Sequence, residues 1–203
     1  MQLTQSIFQV VILIFSVAAH EVAHGIAAEL FGDRTARMAG RITLNPIKHL
    51  DAFGSIILPI FLIYFNSPYI VGWAKPVPYN PTNFSNRRWG TLAVASAGIL
   101  TNLFIAMIFG LVLRFTGTDL GQGFIQIVSF IVIINIALAI FNLIPVPPLD
   151  GSKILLSFLP RKWFFLEVLM ERYAFVGLLF AVVFLWSLVS PLIGIIYNLL
   201  IGV

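Results

Sequence analysis

Cysteine is absent from this chain of 203 residues, so the chain can form neither a disulfide framework nor a thiolate metal site. Any bound metal must therefore be held by histidine, aspartate, glutamate or asparagine side chains. Only three histidines are present, which leaves few places for such a site.

Charge is also scarce. Only 10% of the residues are charged and 60% are hydrophobic, with a mean hydropathy of +1.01. This composition lies far from that of soluble domains and predicts a polytopic protein of the lipid bilayer. The net charge of +4 does not indicate a nucleic-acid partner, because the Lys and Arg residues lie in short loops between apolar runs. The N-terminus lacks the basic region of a signal peptide, so the first apolar run is predicted to be a retained span.

The apolar runs predict an all-α polytopic membrane protein with about five to six transmembrane helices or half-spans, since about 20 apolar residues cross a bilayer. We interpret residues 1–203 as a single transmembrane domain, with a core at about 5–160 and a C-terminal helical segment at about 163–203. The runs lie at residues 3–31, 52–71, 90–114, 123–144 and 173–203.

Basic residues predict how these runs are oriented, because cytoplasmic loops are rich in Lys and Arg. The run at 52–71 has a basic loop on each side, so both its ends are predicted to face the cytoplasm. Pro59 then favours a re-entrant hairpin over a spanning helix. The run at 173–203 contains Pro191 and is either one kinked helix or two short ones. The two basic loops contain Arg34, Arg37, Arg41 and Lys48, and Lys75, Arg87 and Arg88.

The motif His20-Glu21-Val22-Ala23-His24 lies inside the first apolar run. Residues four apart share one face of a helix, so His20 and His24 can direct two imidazoles at one metal ion, for which zinc is best suited. Ionisable groups in a membrane span cost about 2.5–3.5 kcal/mol each, so they tend to mark function. The alternatives are a chance match, or two histidines that only form hydrogen bonds within a helical bundle.

A second polar element ends the fourth apolar run, at Asn142-Leu143-Ile144-Pro145-Val146-Pro147-Pro148-Leu149-Asp150-Gly151. Three prolines in four residues end the helix, and Asp150 at that depth is costly unless it faces a cation. Because the two helices run in the same direction, we expect Asp150 to meet His20 and His24. Two histidines and one carboxylate leave a fourth zinc position open, which is typical of a catalytic site.

Residues 35–46 differ from the apolar runs around them. They alternate after a turn at Gly40, which predicts a small membrane-associated β-hairpin. Its exposed edge would pair with an extended substrate, with the edge strand formed by Arg41, Ile42, Thr43 and Leu44. A plain interfacial loop is the alternative.

Together these motifs resemble those of the site-2 protease family of intramembrane zinc metalloproteases, in its compact branch without PDZ or CBS domains. The resemblance covers about residues 5–160, and the HExxH motif followed by Asn142–Gly151 is its most specific part. One departure is Ile99, where many relatives have proline. Shorter matching segments are Gly40-Arg41 with Asn45-Pro46-Ile47-Lys48-His49, Gly72-Trp73-Ala74-Lys75-Pro76-Val77-Pro78, and Ala97-Gly98-Ile99-Leu100-Thr101-Asn102.

The resemblance implies a zinc endopeptidase that hydrolyses peptide bonds within or next to transmembrane segments of membrane-protein substrates. It implies one Zn²⁺ per chain held by His20, His24 and Asp150, with Glu21 activating the zinc-bound water. It also implies a multi-pass protein of a bacterial or archaeal cell membrane, with its active site toward the cytoplasmic side. Whether the chain forms a homo-oligomer stays open.

By the same resemblance, Asn142 and Asn102 would hold the substrate backbone or the developing oxyanion. The alternative for each is a hydrogen bond within or between helices.

Other ionisable residues fit the metal site less well. Glu29 lies about 140° around the helix from His24 and so faces away from it. His49 lies in a basic interfacial loop, where capping, gating or substrate contact is favoured over metal ligation. Asp33 and Asp51 flank loops and are interpreted as solvated charges.

Two other function classes stay open. A metal transporter is disfavoured, because the sequence shows neither internal repeats nor several intramembrane acidic groups. A non-catalytic membrane scaffold is disfavoured because Glu21 accompanies all three expected ligands.

Overall fold

The structure is a computed structural model that describes residues 2–65, 73–116, 121–160 and 163–202. This part of the chain is mostly helical and contains no sheet, only one isolated antiparallel bridge. The α-helices are α1 (Gln2–Leu30), α2 (Thr35–Met38), α3 (Leu58–Tyr64), α4 (Arg87–Thr116), α5 (Gly121–Leu143), α6 (Asp150–Phe158), α7 (Phe164–Arg172), α8 (Ala174–Phe180) and α9 (Trp186–Ile201).

Three of these helices are long and apolar enough to cross a membrane, namely α1 over Ile7–Leu30, α4 and α5. A bent pair, Ala174–Phe184 and Ser187–Ile201, makes a fourth if it is counted as one span. The predicted all-α membrane protein is thus confirmed, but the predicted count of five to six spans is not. Hydropathy counts apolar residues, whereas a span also needs an unbroken helix of sufficient length.

Helix α4 connects the other long helices. It packs against α1, α5, α6 and α9, and α5 packs against α1 and α9. Small residues occupy many of the buried positions, including the fully buried Ala28, Ala95, Ala106 and Ala139. Small side chains let helix backbones approach closely where lipid supplies no hydrophobic driving force. This packing brings the C-terminal half of α1 and the start of α6 against α4.

The predicted β-hairpin at residues 35–46 is not confirmed, because its first part is helix α2. Gly40 has φ +62° and ends that helix. The Gly40 N–H donates a hydrogen bond to Arg37 O, and the Arg41 N–H donates one to Ala36 O. This pair of bonds is the glycine-capped helix end called a Schellman motif. The glycine interpreted as a hairpin turn is therefore a helix cap, and Arg41, Ile42, Thr43 and Leu44 follow as chain outside any strand.

The predicted re-entrant run at 52–71 forms a widened helical turn at Ala52–Ile57 followed by α3. These elements have 6 and 7 residues, so they rise about 20 Å, less than the hydrocarbon core of about 30 Å. The stretch Asn66-Ser67-Pro68 near the end of the run, whose sequence also favours a re-entrant hairpin, lies outside the described residues.

The two ends of this run lie side by side. Ala74 forms an antiparallel bridge with Leu50, and the Trp73 N–H donates to Gly54 O at 3.2 Å. The Ser55 hydroxyl also donates to Trp73 O at 2.7 Å. A re-entrant segment enters and leaves the membrane at neighbouring points. The arrangement therefore supports the interpretation of residues 52–71 as re-entrant.

The C-terminal run is broken in its middle. Helix α8 continues into a widened turn at Ala181–Leu185, and the axis bends by 61° before α9 continues. Pro191 lies inside α9, and a proline cannot bond to the carbonyl four residues earlier, here that of Ser187. The bend thus lies next to the missing bond, and the run is a bent pair of helices.

The interpretation of Asp33 as a solvated charge is wrong, because its side chain is fully buried. It accepts hydrogen bonds from the Asn80 N–H at 2.7 Å, the Asn83 amide at 2.8 Å and the Thr35 hydroxyl at 2.5 Å. Burial raises the pKa of the Asp33 carboxyl, but the bonds from Thr35, Asn80 and Asn83 outweigh it and lower the pKa below its ordinary 3.8. Asp33 therefore joins the end of α1 to the loop at 79–85.

We expect Asp33→Asn to lower the free energy of unfolding by about 2–3 kcal/mol at neutral pH, because an amide nitrogen would replace one accepting oxygen. The folded carboxyl titrates below pH 3.8, so its contribution is complete above that pH and is lost as the pH falls through the lower, folded pKa. Thermal unfolding in detergent at several pH values measures this. The difference in Tm between wild type and variant should shrink below about pH 4. A difference that does not change with pH would show that the ionised Asp33 carboxylate does not supply the stability.

Candidate metal centre

Helix α1 carries the HExxH motif on one of its faces. The side chains of His20 and His24 are buried, with ring centroids 4.6 Å apart. Potential ligand atoms of His20, Glu21 and His24 all lie within 4.8 Å of one another. Helical spacing alone places the two imidazoles together, as the sequence predicts.

Asp150 contacts the two histidines from the first residue of α6. Helix α5 ends at Leu143, the proline-rich segment turns the chain, and α6 begins at Asp150. Asp150 Oδ2 lies 3.1 Å from Nε2 of His20 and 3.1 Å from Nε2 of His24. The turn is tight, since a Cβ at Gly151 would lie 2.2 Å from Leu143 O. Glycine is therefore required beside the carboxylate.

The hydrogen bonds behind the imidazoles indicate where their protons are. His24 Nδ1 donates to the carbonyl oxygen of Val94 at 2.7 Å, and His20 Nδ1 lies 2.6 Å from Asn102 Oδ1. A neutral imidazole with its proton on Nδ1 presents a lone pair at Nε2. Two such lone pairs and a carboxylate oxygen converge here on one point. Three electron-pair donors in this position fit a metal cation, and the outer hydrogen bonds are those that metal-binding histidines make.

The loop between the run at 52–71 and α4 contacts Glu21. The Val77 N–H donates to Glu21 Oε2 at 2.8 Å, which fixes the orientation of the carboxylate. Arg41 holds this loop through its guanidinium, which donates to the carbonyl oxygens of Lys75 at 2.6 Å and Pro76 at 3.2 Å, and also to that of Lys48. Arg41 thus acts on the site through the loop.

Glycine at position 98 lets α4 approach the His20 ring. A Cβ there would lie 2.5 Å from both Cε1 and Nε2 of His20. No proline follows it, and α4 continues through Ile99 without a break.

We expect Gly98→Ala to displace the His20 ring and to weaken zinc binding by about tenfold or more, the lower end of the range for residues that orient a ligand. Zinc competition with a chromophoric chelator measures the affinity. Gly194→Ala in α9 is the matched control, because a Cβ there meets no atom within 4 Å. Equal affinities in the two variants would show that the close approach does not constrain the ring.

The other sequence-predicted residues lie in different surroundings. Asn142 donates its amide to Leu138 O at 2.9 Å within α5, and its predicted contact with substrate stays a prediction. Glu29 pairs with Arg37 at 2.5 and 2.7 Å, away from the centre, as predicted. His49 is buried and contacts Thr43 O at 2.7 Å, so its ring is held inside the loop.

Three residues near the centre were not singled out from the sequence. Asn135 and Ser16 are buried and connect to Asn102, and Lys153 Nζ lies 3.4 Å from Asp150 Oδ1 and 5.4 Å from the centroid of the Tyr79 ring. The sequence contains a signal that could have identified Asn135 and Ser16, because each is a polar residue within an apolar run. For Lys153 the signal is a basic residue three positions after Asp150.

The fold and the centre define a helical membrane protein with two histidines, one aspartate and an adjacent glutamate. The profile of peptidase family M50 matches residues 8–120 and 115–188, which include all four of these side chains. The chain therefore belongs to peptidase family M50, and the resemblance to the site-2 protease family of zinc metalloproteases is confirmed.

Relatives agree with this assignment. The protein named "Putative zinc metalloprotease YwhC" of Bacillus subtilis is 39% identical over 192 residues, which is 91% of this chain and 81% of the relative. "Putative zinc metalloprotease Rip2" of Mycolicibacterium smegmatis is 28% identical over 138 residues, or 68% of this chain and 52% of the relative. The Rip2 protein of Mycobacterium tuberculosis H37Rv is 29% identical over 136 residues, and this chain spans about half the length of both Rip2 relatives. No solved structure matches the chain.

Proposed function

We propose that this chain is an intramembrane zinc endopeptidase that hydrolyses peptide bonds within or next to the transmembrane segments of membrane-protein substrates. The main support is the convergence of His20, His24 and Asp150 beside Glu21, in a protein with three helices of membrane-spanning length. Membership of a peptidase family supports the reaction class.

His20, His24 and Asp150 would hold one zinc ion per chain. Their Nε2 and Oδ2 atoms face one another, and a set of three protein ligands leaves a position open for water or substrate. When bound, zinc would supply a Lewis acid for the scissile carbonyl and would lower the pKa of the attacking water toward about 7. Lys153 holds the other carboxylate oxygen of Asp150, so that Oδ2 is the one directed at the histidines.

Glu21 serves as general base and then as general acid. Its Oε2 is held by the Val77 N–H, and no hydrogen bond from the described part of the chain reaches Oε1. Glu21 takes a proton from the attacking water through this oxygen and delivers it to the leaving amine. The fixed carboxylate needs no rearrangement between the two transfers.

A substrate helix must unwind before hydrolysis, because its carbonyl groups are shielded by their own hydrogen bonds. Residues 41–44, which lie outside any strand, would contact the unwound segment, and Asn142 would hold its backbone. Basic loops adjoin the centre at both ends of the run at 52–71, which supports a site facing the cytoplasm. A bacterial or archaeal cell membrane is proposed from the family resemblance.

The test is cleavage of a panel of single-span proteins by the purified chain in detergent, with bound zinc quantified in the same samples. We expect about one zinc per chain, cleavage that stops when a chelator removes it, and recovery when zinc is restored. Zinc bound without cleavage of any panel member, including one with Gly and Pro in its span, would contradict a broad endopeptidase.

A further inference from the structure

We infer that Asn135 is a positioning residue that keeps His20 in the imidazole tautomer that binds metal. The inference rests on the proposed function, because it concerns how a zinc ligand is prepared in the metal-free protein. Its basis is a buried chain of hydrogen bonds that joins α1, α4 and α5 through Ser16, His20, Asn102 and Asn135.

The two histidines are held by partners of different kinds. His24 Nδ1 faces the backbone carbonyl of Val94, and a carbonyl only accepts, so His24 must carry its proton on Nδ1. His20 Nδ1 faces the side-chain amide of Asn102. An amide group can present either its oxygen or its nitrogen, so Asn102 by itself does not determine the His20 tautomer.

The alternative arrangement of His20 is also well bonded. If the amide of Asn102 were reversed, its nitrogen would donate to Nδ1 and the proton would move to Nε2. Asp150 Oδ2 lies 3.1 Å from Nε2 and would accept that proton. The proton would then lie between two metal ligands, and metal binding would have to displace it. In the metal-free protein Asp150 therefore favours the tautomer that opposes binding.

Asn135 makes the shorter of the two contacts that orient Asn102, because Asn102 Nδ2 lies 2.8 Å from Asn135 Oδ1 but 3.5 Å, the limit of a hydrogen bond, from Ser16 O. Asn135 Nδ2 lies 2.8 Å from Ile131 O, which only accepts, so the nitrogen must face that carbonyl and Oδ1 must face Asn102. Asn102 Nδ2 donates to this Oδ1 at 2.8 Å, and Ser16 Oγ accepts a second bond from Asn135 at 2.9 Å. The oxygen of Asn102 is thereby directed at His20, which places the proton on Nδ1.

Because this network is buried, the Asn102 amide is strongly held in one orientation. Asn102 and Asn135 are both 0% exposed, so water cannot satisfy a reversed amide. Reversal of Asn102 would place its oxygen against Oδ1 of Asn135, and both oxygens would then lack a donor in a buried site. The predicted substrate contact of Asn102 stays a prediction, while both ends of its amide are engaged here.

The test reads the His20 tautomer directly. The chain has only three histidines, so ¹⁵N spectra of the zinc-free protein in nanodiscs resolve each ring, with His24 as an internal reference. We expect Nδ1–H for His20 in the wild type and a shift toward Nε2–H in Asn135→Leu. Zinc affinity should fall by about 10–100-fold. If the leucine variant does not fold, Asn135→Ala replaces it. The alanine variant also lacks the acceptor and should give the same result.

Two further variants separate positioning from packing. Asn142→Leu removes the same bond to the carbonyl four residues earlier on the same helix, without contact with Asn102, and should leave the His20 tautomer and zinc affinity unchanged. Adding Asn102→Asp to Asn135→Leu should restore the Nδ1–H tautomer, because a carboxylate presents only acceptors. A folded Asn135→Leu protein with wild-type tautomer and affinity overturns the inference alone; a wild type that binds no zinc overturns the proposed function.

Discussion

Glu21→Gln should abolish proteolysis while leaving bound zinc unchanged. Glutamine has the same shape and keeps an oxygen that accepts the Val77 N–H, so the loop and the neighbouring histidines stay in place. It cannot take a proton from water at neutral pH, and loss of a general base lowers rates by about 10²–10⁴-fold. Cleavage of single-span substrates and zinc content are measured on the same preparations.

Glu29→Gln is the matched control for this variant. Glu29 lies eight residues further along α1 and pairs with Arg37, away from the metal centre. We expect wild-type cleavage and wild-type zinc content. Equal cleavage by wild type and Glu21→Gln, with zinc present in both, would assign the activity to a contaminant and remove Glu21 from the reaction.

Asp150→Asn should lose zinc more completely than a change in any residue that only orients a ligand. Asp150 Oδ2 lies 3.1 Å from both Nε2 atoms, and an amide oxygen is a weaker ligand than a carboxylate for a divalent cation. We therefore expect zinc affinity to fall by more than a factor of about 10–100, the range typical of residues that only support a ligand. Competition with a chelator measures it, and proteolysis should be lost in parallel.

The control for charge removal is Asp51→Asn. Asp51 Oδ1 accepts from the backbone N–H groups of Phe53 and Gly54, and asparagine keeps that oxygen. Zinc affinity should not change. An Asp150→Asn protein that binds zinc as tightly as the wild type would remove Asp150 from the ligand set and leave Glu21 as the remaining nearby carboxylate.

The meeting of His20, His24 and Asp150 could be anticipated, because two rules of sequence suffice for it. Helical spacing places the two histidines together, and if the run at 52–71 enters and leaves on one face, the two spans that follow return the chain to the same side before Asp150. No comparable rule predicts Asn135. Its importance comes from contacts with Asn102 and Ser16, which lie 33 and 119 residues away in sequence.

The incorrect predictions have local causes. Gly40 suits both a hairpin turn and a helix cap, since each requires positive φ, and only the bonds made by Gly40 and Arg41 distinguish them. Asp33 was interpreted as solvated because nothing near it in sequence requires a buried anion, but its partners Asn80 and Asn83 come from the loop before α4. The predicted count of five to six helices or half-spans is not confirmed, because hydropathy alone does not detect a break between apolar helices.

The expected ligands lie far apart along the chain, since Asp150 follows His20 by 130 positions. During synthesis, α1 enters the membrane long before Asp150 leaves the ribosome, so a nascent chain carries the HExxH motif without its third ligand. With the proposed ligand set, coordination would need α4 and α5 in place and α6 begun. A product truncated before Asp150 would therefore lack one of its three ligands.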